Sequence, residues 1–150
     1  MAVIASGLYF LTWEKIFIDT LGKSLESDTN NLLLVTDSEA PNFDTHDFHA
    51  DITAEMATTN YGFEPVTGTA ITVTTGTLIL DATDTPFNNG GSNDVTVTDA
   101  MAAVLYTDVG SSGTDQLIGL WDFQTAASST ASIFTVLWNS TGLLTLDLTP

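Results

Sequence analysis

The apolar positions along the chain change their rhythm. From residue 7 to 26 they are too dense for a strand. Leu8, Leu11, Ile16 and Leu21, with Tyr9, Phe10, Trp13, Phe17 and Ile18, predict a helix whose apolar surface is wider than one stripe. Ser6 stands where an N-cap is expected and Gly22 where a helix breaks. Glu14 and Lys15 take the polar side, with Asp19 and Lys23 four residues apart beside them. Residues 32–37, Leu-Leu-Leu-Val-Thr-Asp, form an almost unbroken apolar run. That predicts a strand buried on both faces, one of them covered by the N-terminal helix. A turn around Pro41 follows over 38–42, then a short helical segment within 45–56.

After residue 68 the period falls to two. Thr69 to Thr75 alternate, Gly76 marks a turn, and Thr77-Leu-Ile-Leu-Asp-Ala returns as the partner of a hairpin. Residues 85–94 read as a loop and 95–98 as a short strand. Residues 102–107 and 117–123 flank the loop 108–115 as a second hairpin. Residues 132–138 and 143–148 make a third across Asn139-Ser-Thr-Gly142. The chain is therefore expected to be mainly β: an antiparallel β-sandwich of about seven or eight strands, with an N-terminal helix and a short helical segment near 45–56. One domain is expected over residues 1–150, with 1–26 as a helical docking segment.

Charge narrows the functions open to such a fold. Nineteen carboxylates face two basic side chains, Lys15 and Lys23, for a formal charge of −17 and no arginine. The chain has no means of gripping a phosphate backbone, which argues against nucleic acid as a partner. Charged residues are only 14% of the whole, so the polar surface is built largely from Thr, Ser, Asn and Gly. Cysteines are absent, which removes disulfides and thiolate metal sites. The first six residues lack a basic region, and Glu14, Lys15 and Asp19 interrupt the apolar stretch that follows. Neither a signal peptide nor a membrane span is expected there.

Candidate chemistry is sparse. His46 and His49 with Asp47 sit at metal-ligand spacing on a helical turn, among Asp44 and Asp51. No third histidine exists, and local hydrogen bonding with Phe43 and Phe48 as anchors is the plainer reading. The acidic pairs Asp81/Asp84, Asp94/Asp99 and Asp108/Asp115 fit no calcium loop and read as solvated turn carboxylates. No nucleophile elbow or phosphate-cradling loop is present, so the expectation is a non-enzyme without cofactor. The four aromatics Tyr9, Phe10, Trp13 and Phe17 fall within nine residues, a heavy apolar load for so small a domain. With Leu8, Lys15 and Lys23 they form the candidate interaction surface.

The segments Gly7-Leu-Tyr-Phe, Leu33-Leu-Val-Thr-Asp37, Pro41-Asn-Phe-Asp-Thr-His-Asp-Phe48, Ala103-Val-Leu-Tyr-Thr-Asp108, Leu117-Ile-Gly-Leu-Trp-Asp-Phe123 and Phe134-Thr-Val-Leu-Trp-Asn139 appear in this order. Together they resemble a group of small structural proteins of tailed bacteriophages and prophages. The resemblance implies a virion component made in the bacterial host cytoplasm. A capsid decoration (cement) protein on the outer surface of the shell would have the major capsid protein and neighbouring copies as partners, in a homotrimer or another homo-oligomer. The alternative is a tail or adhesion component binding a host glycan or protein. In that case Phe87 and Tyr61 are the candidate sugar-stacking rings, since Trp121 and Trp138 lie in apolar strand patterns.

Overall fold

Strand β2 (Asn30–Thr36) runs through the middle of the computed structural model, which describes residues 5–147. Leu32 to Val35 are buried as their apolar run predicts, but the strand starts at Asn30 rather than 32, and Asn30 and Asn31 are buried too. The main sheet is antiparallel, in the order β1 (Gly7–Leu8), β8 (Leu117–Ser129), β7 (Val97–Thr107), β2 and β3 (Glu64–Val66). A three-stranded sheet places β5 (Thr77–Asp81) between β10 (Leu144–Asp147) and β4 (Ala70–Thr74). A third sheet pairs β6 (Thr85–Phe87) with β9 (Phe134–Val136). The protein is mainly β and antiparallel, with ten strands among the described residues rather than seven or eight, and no barrel.

Period-two alternation in β2 separates two cores. Leu32 and Leu34, with Leu105 and Ala103 beside them on β7, face a cluster that includes Leu80, Phe87, Val136 and Leu143. This is the space between the main sheet and the two smaller ones, the interior of the sandwich. Leu33 and Val35, with Val104 and Ala102, face the opposite way, toward Tyr9, Tyr106, Leu117 and Leu120. Phe43, Ile52 and Met101 close that side.

The long strands β7 and β8 are kinked. The register shifts between Val97 and Ala100 and again before Ala102. Asp99 (φ 54) and Gln124 (φ 62) take left-handed backbone there, the mark of bulges. Because of them Val97, Ala100, Ala103 and Leu105 all reach the sandwich core, a spacing that an unbroken strand would not permit.

The predicted helix over 7–26 shrinks to Phe10–Phe17 (α1). Gly7 and Leu8 pair with Leu120 and Gly119 instead, and Tyr9 keeps an extended backbone at the N-cap position. Ser6 is not the cap: its hydroxyl accepts the Asp122 N–H at 2.9 Å. At the other end Asp19 (φ 57) turns the chain, while Thr20 and Leu21 donate back to the Lys15 carbonyl. Asp19 and Lys23 therefore do not share a helix. Nor does α1 cover the second face of β2. Its Trp13 and Ile16 pack on the sandwich core, and the Leu33 face is covered by Tyr9, Phe43 and Ile52.

Within 45–56 the helical segment is one 3-10 turn, His49–Asp51. Phe48 stands at its N-cap position. The Asp51 carboxylate accepts the N–H groups of Asp47 and Phe48, both at 2.9 Å, and these bonds hold its carboxyl below the usual range. The hairpin at 69–81 forms as predicted, closed by Thr75 (φ 51) and Gly76 (φ 82), the positive pair of a type I′ turn. The third hairpin does not form: β9 pairs with β6, and β10 pairs with β5. Its predicted last residue, Leu148, and the first four residues of the docking segment lie outside the described residues.

Candidate functional site

In the registers of the three-stranded sheet, Leu144, Leu80 and Ile71 stand in one row and Leu146, Leu78 and Val73 in the next. Cross-strand partners share a face, so six aliphatic side chains line one side of this sheet. Leu80 is part of the sandwich core, whereas Val73 is 72% exposed. Trp13, Ile16 and Phe17 of α1 line the space facing these rows, and an open groove of about 290 Å³ remains between them. Its polar lining is Lys23 and Ser24 alone. None of its lining residues is a carboxylate, in a chain that carries 19, although Glu26 and Asp28 accept the N–H groups of Ile71 and Ser24 beside it. The volume is just below the range of small-molecule pockets, roughly 300–1,000 Å³, and the groove lacks the convergent polar groups such pockets use.

The candidate interaction residues divide into two sets. Phe10 and Phe17 are 58 and 74% exposed, and Ile18 beside them, not among the candidates, is 59% exposed, so the helix does present bare apolar surface. Tyr9 is fully buried and belongs to the core, and burial together with the charges of Glu39 and Asp51 raises its hydroxyl pKa. Leu8 is fixed in β1. Trp13 is half-buried, its indole N–H donating to the Ile118 carbonyl at 3.0 Å. Lys15 is engaged within the chain: its ammonium lies 2.5 Å from Asp47 and 5.0 Å from the centre of the Phe48 ring. Of the two lysines, Lys23 is the one beside the groove. Sequence reasoning missed the sheet wall of the groove. Ile71, Val73, Leu78 and Leu80 alternate visibly, but their convergence with Leu144 and Leu146 depends on the non-local pairing of β10.

The histidine cluster does not converge. Asn42 donates its N–H toward His46 Nδ1 at 3.5 Å, and Asp47 is paired with Lys15. His49 turns elsewhere: its Nε2 lies 3.0 Å from Glu55, its Nδ1 4.0 Å from Asp115, and its ring packs on Tyr106 at 4.6 Å. Among the described residues no three His, Asp or Glu side chains are placed to hold a metal ion. The backbone completes a clamp, with His49 N–H donating to Asp115 and Ala50 N–H to Ser112. Asp115 Oδ1 in turn accepts the N–H groups of Val109 and Ser111. The segment around the 3-10 turn is thereby tied to the loop 108–115.

The hydrogen bond to Glu55 raises the His49 pKa above its ordinary 6.5, against the opposing effect of burial. The protonated form is the one the fold favours. Its contribution to stability is fully present below about pH 6.5 and is lost as pH rises through the raised value. The difference in unfolding free energy between the protein and a His49→Gln variant should thus be larger near pH 5.5 than near pH 8.5. Urea denaturation at both values measures it, and an equal difference at the two would show that the ring's charge plays no part.

The glycan-stacking candidates are also placed elsewhere than expected. Phe87 is fully buried and stacks at 5.8 Å on Tyr61, which is half-buried and contacts the Leu34 backbone through its hydroxyl. Trp121 and Trp138 are half-buried against each other, with ring centres 5.4 Å apart. Among the described residues no helix is long and apolar enough to cross a membrane. Compared with known protein families, curated proteins and solved structures, the chain matches none.

Proposed function

We propose that this chain is a structural protein of a tailed-phage virion that decorates the outer surface of the capsid shell, docking through α1 and the groove beside it. The observation that carries the reading is the bare apolar surface of Phe10, Phe17 and Ile18 next to a groove with no carboxylate in its lining, on a body of net charge −17. Such a surface marks an interaction site. Its occupant is an apolar side chain of the major capsid protein, set among neutral or basic residues. Carboxylates on the rest of the body discourage a second, acidic approach and repel free DNA. The resemblance to phage structural proteins supports the same assignment. Phe87 is buried and Tyr61 half-buried, so the two rings first considered for a glycan-binding tail component do not favour that alternative.

Purified chain should rebind capsids depleted of it and raise their melting temperature. Phe17→Ser removes a side chain that is three-quarters exposed, so the variant should keep its own stability within about 0.5 kcal/mol. Its dissociation constant for depleted capsids should rise about 30-fold, the effect of an interface anchor worth about 2 kcal/mol. Binding to tails or host cells, with none to capsids, would sink the proposal.

A further inference from the structure

We infer that Asn89 is a site of spontaneous covalent modification, where the side chain closes on the Gly90 nitrogen and loses ammonia. Asparagine is a thermolabile residue. Ring closure is fastest ahead of glycine, which has no Cβ to hinder its nitrogen. Asn89 is the only asparagine of the chain that precedes a glycine. Both residues are exposed, in the loop between β6 and β7.

The fold leaves the nucleophile and its path open. The N–H groups of Gly91, Ser92 and Asn93 donate within the loop, to the carbonyls of Asn88, Asn89 and Asn88. Among the described residues the Gly90 N–H has no such partner. A Cβ placed on Gly90 or Gly91 would meet nothing within 4 Å. Asn89 (φ 50) holds left-handed backbone, so its peptide plane must rotate to bring the Gly90 nitrogen to the side-chain carbonyl. The pair Gly90-Gly91 permits that rotation at little steric cost. One contact opposes it: Asn89 Nδ2 donates to Asp94 Oδ1 at 2.9 Å. That bond is single and exposed, and it restrains the side chain only weakly. Asn139 differs. Ser140 follows it, and its Oδ1 is fixed by the N–H and hydroxyl of Thr141.

The Gly90 nitrogen gives its proton to solvent hydroxide and forms a bond to Asn89 Cγ. The Cγ–Nδ2 bond breaks, and Nδ2 takes a proton and leaves as ammonia. Water then opens the cyclic imide. Attack at the side-chain carbonyl gives aspartate; attack at the main-chain carbonyl gives isoaspartate. Nothing is oxidised or reduced. Either product adds a carboxylate to a chain of net charge −17. It also stands where Asn89 met Asp94, turning a hydrogen bond into a like-charge contact. Asp94 Oδ2 accepts from Asn60 at 2.8 Å, and Glu64 accepts the Asn88 N–H at 3.2 Å. The modification therefore loosens the loop from the segment that leads into β3.

Incubating the purified, folded chain at mildly alkaline and mildly acid pH, beside a peptide of residues 85–94, tests the inference. An acidic species should accumulate in the chain, faster at alkaline pH, with ammonia released in step. Peptide mapping by mass spectrometry should place aspartate and isoaspartate at residue 89 and leave Asn139 intact. Asn89→Gln, whose side chain closes more slowly, should lose the species. Asn89→Asp reproduces one product and should speed amide exchange over residues 88–94. A folded chain that keeps Asn89 while the peptide converts, or that converts as fast at Asn139, would overturn the inference. Unchanged exchange in Asn89→Asp would overturn the loosening of the loop. None of this rests on the capsid reading.

Discussion

Replacing Glu39 by alanine is expected to lower the unfolding free energy by about 3 kcal/mol, a fall of roughly 6–12 °C in melting temperature for a domain of this size. Glu39 is fully buried. One carboxylate oxygen accepts the N–H groups of Thr53 and Ala54, at 2.9 and 2.8 Å, and the Thr53 hydroxyl at 3.4 Å. These bonds hold the strip that follows the 3-10 turn against β2, where Thr36 donates to Ala54 and Met56 to Leu34. Alanine leaves the two N–H groups without their acceptor and opens a space beside the Leu33 face. Charge-assisted bonds are worth more than neutral ones, so Glu39→Gln, which keeps an acceptor oxygen, should cost about half as much. Chemical denaturation of the three proteins separates the two effects. A loss below about 1 kcal/mol for Glu39→Ala would mean that water replaces the carboxylate.

Gly142→Ala should cost a similar amount, about 3 kcal/mol, combining backbone strain with overpacking. Gly142 has φ +98, and a Cβ there would lie 2.6 Å from the Ile79 side chain and 2.7 Å from the Leu80 carbonyl oxygen. The second neighbour is backbone of a central strand and cannot step aside. The substitution should therefore loosen β10 from β5, seen as faster amide exchange at Leu144 and Leu146 than at Leu33 and Leu34. Uniform protection with unchanged stability would show that the turn re-forms elsewhere.

The sequence revealed those elements whose cause is local. Strand β2 was readable because the apolar run Leu32–Val35 needs two covers, although the strand begins two residues earlier with the buried Asn30 and Asn31, and β4–β5 because Thr75-Gly76 permits a type I′ turn. The aromatic run misled because a dense apolar stretch looks alike whether it winds fully or stops. Here backbone pairing of Gly7 and Leu8 with β8 takes the first residues, and Asp19 ends the helix early. The last hairpin was misread for the same kind of reason. Asn139 to Gly142 does form a turn, with Gly142 N–H donating to Asn139, but the strands on either side find partners in distant sequence. The exposed face of α1 was legible from its aromatic load. The opposite wall of the groove was not, since no local pattern announces that Leu144 and Leu146 will lie beside Leu80 and Leu78.

The pairing of β1 with β8 has a consequence for synthesis. Residue 7 finds its partner at residue 120, and β2 waits for β7 before its first long ladder can form. At about 5–20 residues per second, roughly 4–17 s separate the emergence of β2 from that of β8. Through that interval a strand meant for the deepest part of the protein is in water, among the slow, non-local pairings typical of all-β chains. The excess of carboxylates then serves the nascent chain before it serves the folded one, because like charge keeps neighbouring unfinished copies apart until the sheet can close.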